Sequence, residues 1–146
     1  MMRCYDNDWI KTPHLNALLE QSFVFENAYV TQAVCTPARA SIMTGLYPHT
    51  AGPVVNQLPL PPDVPSIAEM VSDGYLRAYF GKWHLGDQPP FLPTRHGFDQ
   101  FFGCPYSEDM VPTQSMPEWP PLPIMRNEKV VEAPVDRHGL TRRYTE

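Results

Sequence analysis

The sequence predicts an α/β fold joined by long loops, and three observations carry that prediction. Helix-start signals recur at Thr12-Pro13, at Thr36-Pro37 and at Ser66, where Glu69 completes a capping box. Runs of aromatic and β-branched residues, "FVFENAYV" after the first signal and "YLRAYF" after the third, suit strands. The third observation is proline: 18 in 146 residues is more than twice the usual share of roughly 5%, and each one fixes φ and removes a backbone donor.

Taken in order, "TPHLNALLEQS" offers Thr12 as an N-cap and Pro13 as the first helical residue, with Leu15, Leu18 and Leu19 at helical spacing. "FVFENAYV", residues 23–30, reads as a strand or extended segment that delivers Cys35. Thr36 and Pro37 open a second helix through "ARASIMT", and Gly45 is placed to end it. Residues 46–65 read as a loop, after which Ser66 opens a helix expected to stop at Gly74. "YLRAYF", residues 75–80, reads as a buried strand running into "GKWHLG". Residues 87–125 form a long Pro-rich loop region, "PIMRNEKVVEAPV" a hairpin turning near Asn127 and Glu128, and "LTRRYTE" the start of a helix. There is no internal repeat, and residues 1–146 are read as part of a single domain.

A net charge of −5 with scattered Lys and Arg argues against general nucleic-acid binding, which needs a basic face to neutralise phosphates. No apolar run reaches the roughly 18 residues of a membrane span, and "MMRCYDNDWIK" lacks the apolar centre of a signal peptide. Cys4, Cys35 and Cys104 are an odd, widely spaced set, which is neither a zinc motif nor a disulfide framework.

The stretch "AVCTPARASIMTG" concentrates chemistry. Cys35 precedes a helix whose first N–H groups carry partial positive charge, and Arg39, four residues on, returns to the same side. One turn is thus expected to offer a nucleophile position, a guanidinium and backbone donors to one tetrahedral oxyanion, phosphate or sulfate. In "GKWHLG", an extended backbone would send Lys82 and His84 to the same side, a fixed cation beside a proton carrier.

"VCTPARASIMTG" resembles the first signature of the sulfatase family, and "GYLRAYFGKWHLG" resembles its second, built around Gly-Lys-x-His. "IKTPHLNALLEQSFVFENAYV" and "PTRHGFDQFFGCPYSEDM" continue the likeness toward the arylsulfatase A-like branch. The resemblance implies an alkaline-phosphatase-like α/β fold, with a mixed sheet flanked by helices. It also implies sulfuric ester hydrolysis through a formylglycine made from Cys35 by a formylglycine-generating enzyme, and a calcium ion with Cys35, so modified, among its ligands. The hydrate of that aldehyde attacks with one hydroxyl and expels sulfate with the other. Arg39 is implied to hold the hydrate and offset its charge, Lys82 to bind a sulfate oxygen and His84 to stabilise the hydrate or handle protons near the leaving oxygen, while Ser107 matches a substrate-contacting serine.

Other polar residues are read as structural: His14, His49, His96 and His138 as loop or surface histidines, and Asp99, Glu108 and Asp109 as loop acids or caps. The family's aspartate pair at the end of its first strand has no match here. Asp6 and Asp8 are nearby but are assigned to a loop, and the later Asp-Asn, His and Lys of the family also find no match. Arg77 and Phe80 stand where smaller residues are usual. The chain is therefore expected to be a partial sulfatase domain, with periplasmic, secreted or lysosomal location implied by the family alone. The alternatives are a truncated, non-catalytic sulfatase remnant and a phospho- or phosphonohydrolase of the same superfold.

Overall fold

The computed structural model describes residue 7 and residues 9–146, so Cys4, Asp6 and Asp8 lie outside the described residues. Four helices precede or flank the first strand: α1 (Pro13–Glu20), α2 (Cys35–Thr44), α3 (Pro48–Ala51) and α4 (Ile67–Met70). Strands β1 (Ala78–Phe80), β2 (Gln100–Gly103), β3 (Ile124–Arg126) and β4 (Lys129–Glu132) follow, and α5 (Leu140–Thr145) closes the chain. The strands form one sheet in the order β1-β2-β3-β4, parallel between β1 and β2 and antiparallel thereafter. This is the mixed sheet with flanking helices that the resemblance implies.

Most elements form for the reasons the sequence offers. Pro13 begins α1, and Gly45 ends α2 in the left-handed conformation at φ 71°, where the absence of a Cβ removes the steric cost. The capping box is complete: Ser66 Oγ accepts from the Ala68 N–H at 3.1 Å, and Glu69 accepts from the Ser66 N–H at 2.7 Å. Asn127, at φ 54°, turns the β3–β4 hairpin.

Four expectations are corrected. Helix α4 ends at Met70, well before Gly74, because Val71 turns to an extended conformation. The stretch 46–65 contains the short helix α3, started by Pro48. Of the strand or extended segment expected at residues 23–30, the strand does not form, since no neighbouring strand pairs with them among the described residues, and Phe23 and Tyr29 are 88% and 89% exposed. Only Ala78–Phe80 of "YLRAYF" is a strand, and it is exposed where burial was expected, with Tyr75, Leu76 and Phe80 open to solvent. β1 is an edge strand with β2 as its one partner, so nothing described covers its outer side. Within the proline-rich 87–125 region run β2 and two short 3₁₀ turns, Pro89–Phe91 and Pro93–Arg95.

Strand alternation divides the core. Phe101 faces a cluster of Ala40, Leu60, Trp83, Leu85, Leu92 and Met125, while its neighbour Phe102 faces Cys104, Leu122, Ile124, Val135 and Leu140. Trp83 is central to the first cluster, with its indole N–H donating to the Phe91 carbonyl at 2.7 Å and its ring edge-on to Tyr79 at 5.1 Å. Arg77 is explained here: it pairs with Asp99 at 3.2 Å and ties the entry of β1 to that of β2.

Gly103 is the tightest point of the sheet, since a Cβ there would stand 1.9 Å from the Gly81 carbonyl oxygen. Gly103→Ala must displace the backbone that leads into Lys82. It should destabilise the fold by about 1–3 kcal/mol, read as a lower urea midpoint at unchanged m-value.

Candidate active site

Cys35 is the first residue of α2 and is exposed. The helix begins before the Thr36-Pro37 signal predicts, with Val34 as its extended N-cap, which releases Thr36 for another task. The Thr36 hydroxyl donates to the His84 carbonyl at 3.0 Å, and its backbone N–H donates to Asn56 Oδ1 at 3.0 Å. Thr36 is fully buried. The cysteine helix, the segment carrying His84 and the loop carrying Asn56 therefore meet beside Cys35.

That junction corrects one expectation. The first turn of α2 was to offer free N–H groups to an oxyanion, yet Thr36 donates to Asn56, Pro37 has no N–H, and Ala38 donates to the Val34 carbonyl at 3.0 Å. The positions after Cys35 have no backbone donor left over.

Arg39 uses its guanidinium on the backbone of the "GKWH" segment. Nε donates to the Trp83 carbonyl at 2.7 Å, and Nη2 donates to the Lys82 carbonyl and to the Tyr79 hydroxyl at 2.5 Å. The Tyr79 hydroxyl donates in turn to the Lys82 carbonyl at 2.7 Å. Arg39 thereby fixes the segment carrying Lys82 and His84 against the helix carrying Cys35.

The "GKWHLG" segment is not the extended strand that period-two alternation assumed, because Gly81 and His84 both have positive φ, 106° and 58°. Lys82 and His84 still share a neighbourhood. Lys82 Nζ donates to Ser107 Oγ at 2.9 Å, and a hydrogen bond from Ser107 holds the Asp109 carboxyl below its ordinary range. Asp109 is thus more than a solvated loop acid: Lys82, Ser107 and Asp109 form a row. A cavity of about 240 Å³ opens beside Lys82 and Ser107, lined also by Cys104, Tyr106 and Tyr144.

His84 is 5% exposed, and neither ring nitrogen has a hydrogen-bond partner among the described residues. Burial, then the charges of Lys82 and Arg39, push its pKa down to about 4, with Asp109 pulling the other way. The imidazole is neutral at pH 7. His96 is a fully buried core histidine beside Trp83, at 5.6 Å between ring centroids, and burial lowers its pKa as well. His14 and His49 are exposed on α1 and α3. Asn56 and Tyr79 belong to the junction although no motif marked them; their partners lie 20 and 40 residues away in sequence.

The described residues do not fit a calcium site. A hard cation takes about six to eight oxygen ligands, and no group of three His, Cys, Asp or Glu side chains comes together among the described residues.

The sulfatase family model matches residues 1–139. The chain belongs to the sulfatase family. Arylsulfatase A of Bos taurus is 36% identical over 157 residues, covering 91% of this chain and 31% of that protein. The crystal structure of Ps i-CgsB superposes with a TM-score of 0.70 at 29% identity, covering 90% of this chain and 34% of that one. A structure solved in complex with its substrate, D-glucosamine-2-N,6-O-disulfate, superposes at a TM-score of 0.66 and 25% identity, covering 90% of this chain and 25% of that one. The sulfatase chain described here thus has the alkaline-phosphatase-like fold expected of it and spans between about a quarter and a third of the length of these relatives.

Two outcomes follow from this geometry. The unfolded chain binds protons to His84 between its ordinary value near 6.5 and the folded value of about 4, so stability is fully present above that window and falls as pH drops through it. His84→Gln should flatten part of that slope in urea unfolding measured from pH 7 to pH 4, leaving the part due to His96. Arg39→Ala strands the Trp83 carbonyl, leaves the Lys82 carbonyl to the Tyr79 hydroxyl alone and should cost about 1.5–3 kcal/mol, with Arg39→Lys failing to restore it because an ammonium cannot fork to the same acceptors.

Proposed function

We propose that the protein carrying this chain hydrolyses sulfate esters, releasing inorganic sulfate and an alcohol or phenol, with Cys35 as the residue converted to formylglycine. The observation that carries this reading is the junction at Thr36, which sets the exposed Cys35 against the segment bearing Lys82 and His84. The substrate-bound relative supports a sulfate ester as ligand class. Formylglycine supplies a hydrated aldehyde, whose paired hydroxyls permit attack on sulfur and release of sulfate from one carbon.

The chain's own residues supply the rest. Lys82 offers a fixed positive charge to a sulfate oxygen, and Ser107, already bonded to Lys82, lies where its hydroxyl can turn from Asp109 to the same group. His84, neutral and unpaired, holds one donor and one acceptor for the ester oxygen and its proton. Arg39 sets the geometry by gripping the carbonyls of Lys82 and Trp83. The family also implies calcium, with Cys35 in its modified form as one ligand. Because the described residues provide no further cluster, no step is assigned to it, and the remaining ligands would come from elsewhere in the protein. Maturation by a formylglycine-generating enzyme, and an exported or lysosomal setting, belong to the same reading. No described helix is long and apolar enough to cross a membrane.

Co-expression with a formylglycine-generating enzyme, followed by mass spectrometry of the Cys35 peptide and assay on an aryl sulfate, tests the proposal. Conversion of the thiol to the aldehyde with turnover is the expected result, and Lys82→Ala should lower kcat/KM by roughly 100- to 1000-fold with Cys35 still converted. An unconverted thiol under conditions that convert a control sulfatase would overturn it.

A further inference from the structure

We propose that Asp109 drives the release of product: its carboxylate takes the Ser107 hydroxyl in the free protein, yields it to bound sulfate, and repels the sulfate dianion once that has formed. This rests on the sulfatase reading of Lys82 and Ser107, and it gives a role in the cycle to an acid that neither signature contains.

The chain after β2 is laid along the Lys82 turn. The Trp83 and His84 N–H groups donate to the Cys104 and Pro105 carbonyls, each at 2.9 Å. A few residues on, the Met110 N–H donates to the Ser107 carbonyl at 3.0 Å, which closes a turn with Asp109 inside it, two residues from Ser107. Arg137 Nη1 donates to the Glu108 carbonyl at 3.1 Å and fixes that turn from the other end of the chain. Asp109 is held in place although it is exposed.

The Ser107 hydroxyl has a single proton to give. Its oxygen accepts from Lys82 Nζ at 2.9 Å, and its proton goes to the Asp109 carboxylate. Lys82 and Asp109 form no direct ion pair among the described residues, so the carboxylate reaches the ammonium through the hydroxyl. Two hydrogen bonds of roughly 2.8 Å each place the charges within about 6 Å of one another. An ammonium has three donors. Ser107 is its one acceptor among the described residues, which leaves the others for a ligand in the cavity of about 240 Å³ that Lys82 and Ser107 line. The charge of Asp109 is also felt at His84, where it opposes Lys82 and Arg39.

That opposition separates substrate from product. A sulfate ester is a monoanion and free sulfate at neutral pH a dianion, so cations alone would hold the product more tightly than the substrate. A fixed carboxylate beside them repels the dianion with twice the energy it sets against the ester. The hydroxyl completes the exchange. Ser107 turns from Asp109 to an incoming sulfate group, and the Ser107–Asp109 bond re-forms as sulfate leaves, which offsets part of the loss of the Lys82 contact.

The test titrates inorganic sulfate into the full-length protein by calorimetry at low ionic strength, where exposed charges are least screened. Asp109→Asn keeps an acceptor for the Ser107 hydroxyl and removes the charge, whereas Asp109→Ala removes both. Each variant should bind sulfate about tenfold more tightly than the parent, a direction that damage to the site does not produce. In turnover of an aryl sulfate, KM should fall only about threefold, because the monoanion meets half the repulsion. Inhibition by product should deepen to match. If Asp109 only braces its loop, Asp109→Asn binds sulfate like the parent and Asp109→Ala binds it more weakly; that result, or a parent protein that binds no inorganic sulfate, overturns the proposal. Turnover by the parent separates the two readings. Hydrolysis with unchanged sulfate affinity in Asp109→Asn removes the role of Asp109 and keeps the sulfatase, while tighter binding without hydrolysis by the parent keeps Asp109 as a charge set against bound sulfate and removes the esterase.

Discussion

The guanidinium of Arg39 is the contact on which the site depends. It grips the carbonyls of Lys82 and Trp83 and the hydroxyl of Tyr79, joining a helix near residue 40 to a turn near residue 82 that sequence separates by more than 40 positions. A rigid planar fork suits this work, because several parallel donors fix angle as well as distance. The Gly81, Trp83 and His84 N–H groups tie the same turn to the Phe102, Cys104 and Pro105 carbonyls, and Arg39 adds the attachment to α2 that those bonds do not provide.

The hydrophobic framework works toward the same end. Trp83 lies between Lys82 and His84 and points into the core, packed by Tyr79, Phe98 and His96. Burial of that one ring stabilises the turn, and the residues on either side are directed by it. The large aromatic and the arginine act from opposite directions: the ring anchors the turn from within the core, and the guanidinium holds its backbone from the helix.

Legibility in the sequence followed the range of the interactions. Local chemistry was readable: Pro13, Gly45, the Ser66–Glu69 box and the Asn127 turn all act within a few residues. Cys35, Arg39, Lys82, His84 and Ser107 were readable because two motifs and a family likeness mark them, and the structure does bring the Lys82–Ser107 pair together. Partners over long range were not. Asn56 lies in an unmarked loop, Thr36 serves His84 although its position reads as a helix cap, and Arg39 bonds to carbonyls that carry no sequence signal. The buried strand expected at "YLRAYF" failed for a related reason: periodicity reports what a segment prefers to bury, and nothing among the described residues covers that side of β1.

The arrangement at the start of α2 also decides which part of the motif a visiting molecule meets. Thr36 and Pro37 are buried and Arg39 is committed to its carbonyls, although Cys35 beside them is exposed. On the folded surface Cys35 is presented without its downstream neighbours, since Pro37 is buried and the half-buried Arg39 has its guanidinium occupied. A reagent that needs all three side chains at once therefore meets them only in the unfolded chain, whereas one that needs the thiol alone meets it in the folded protein.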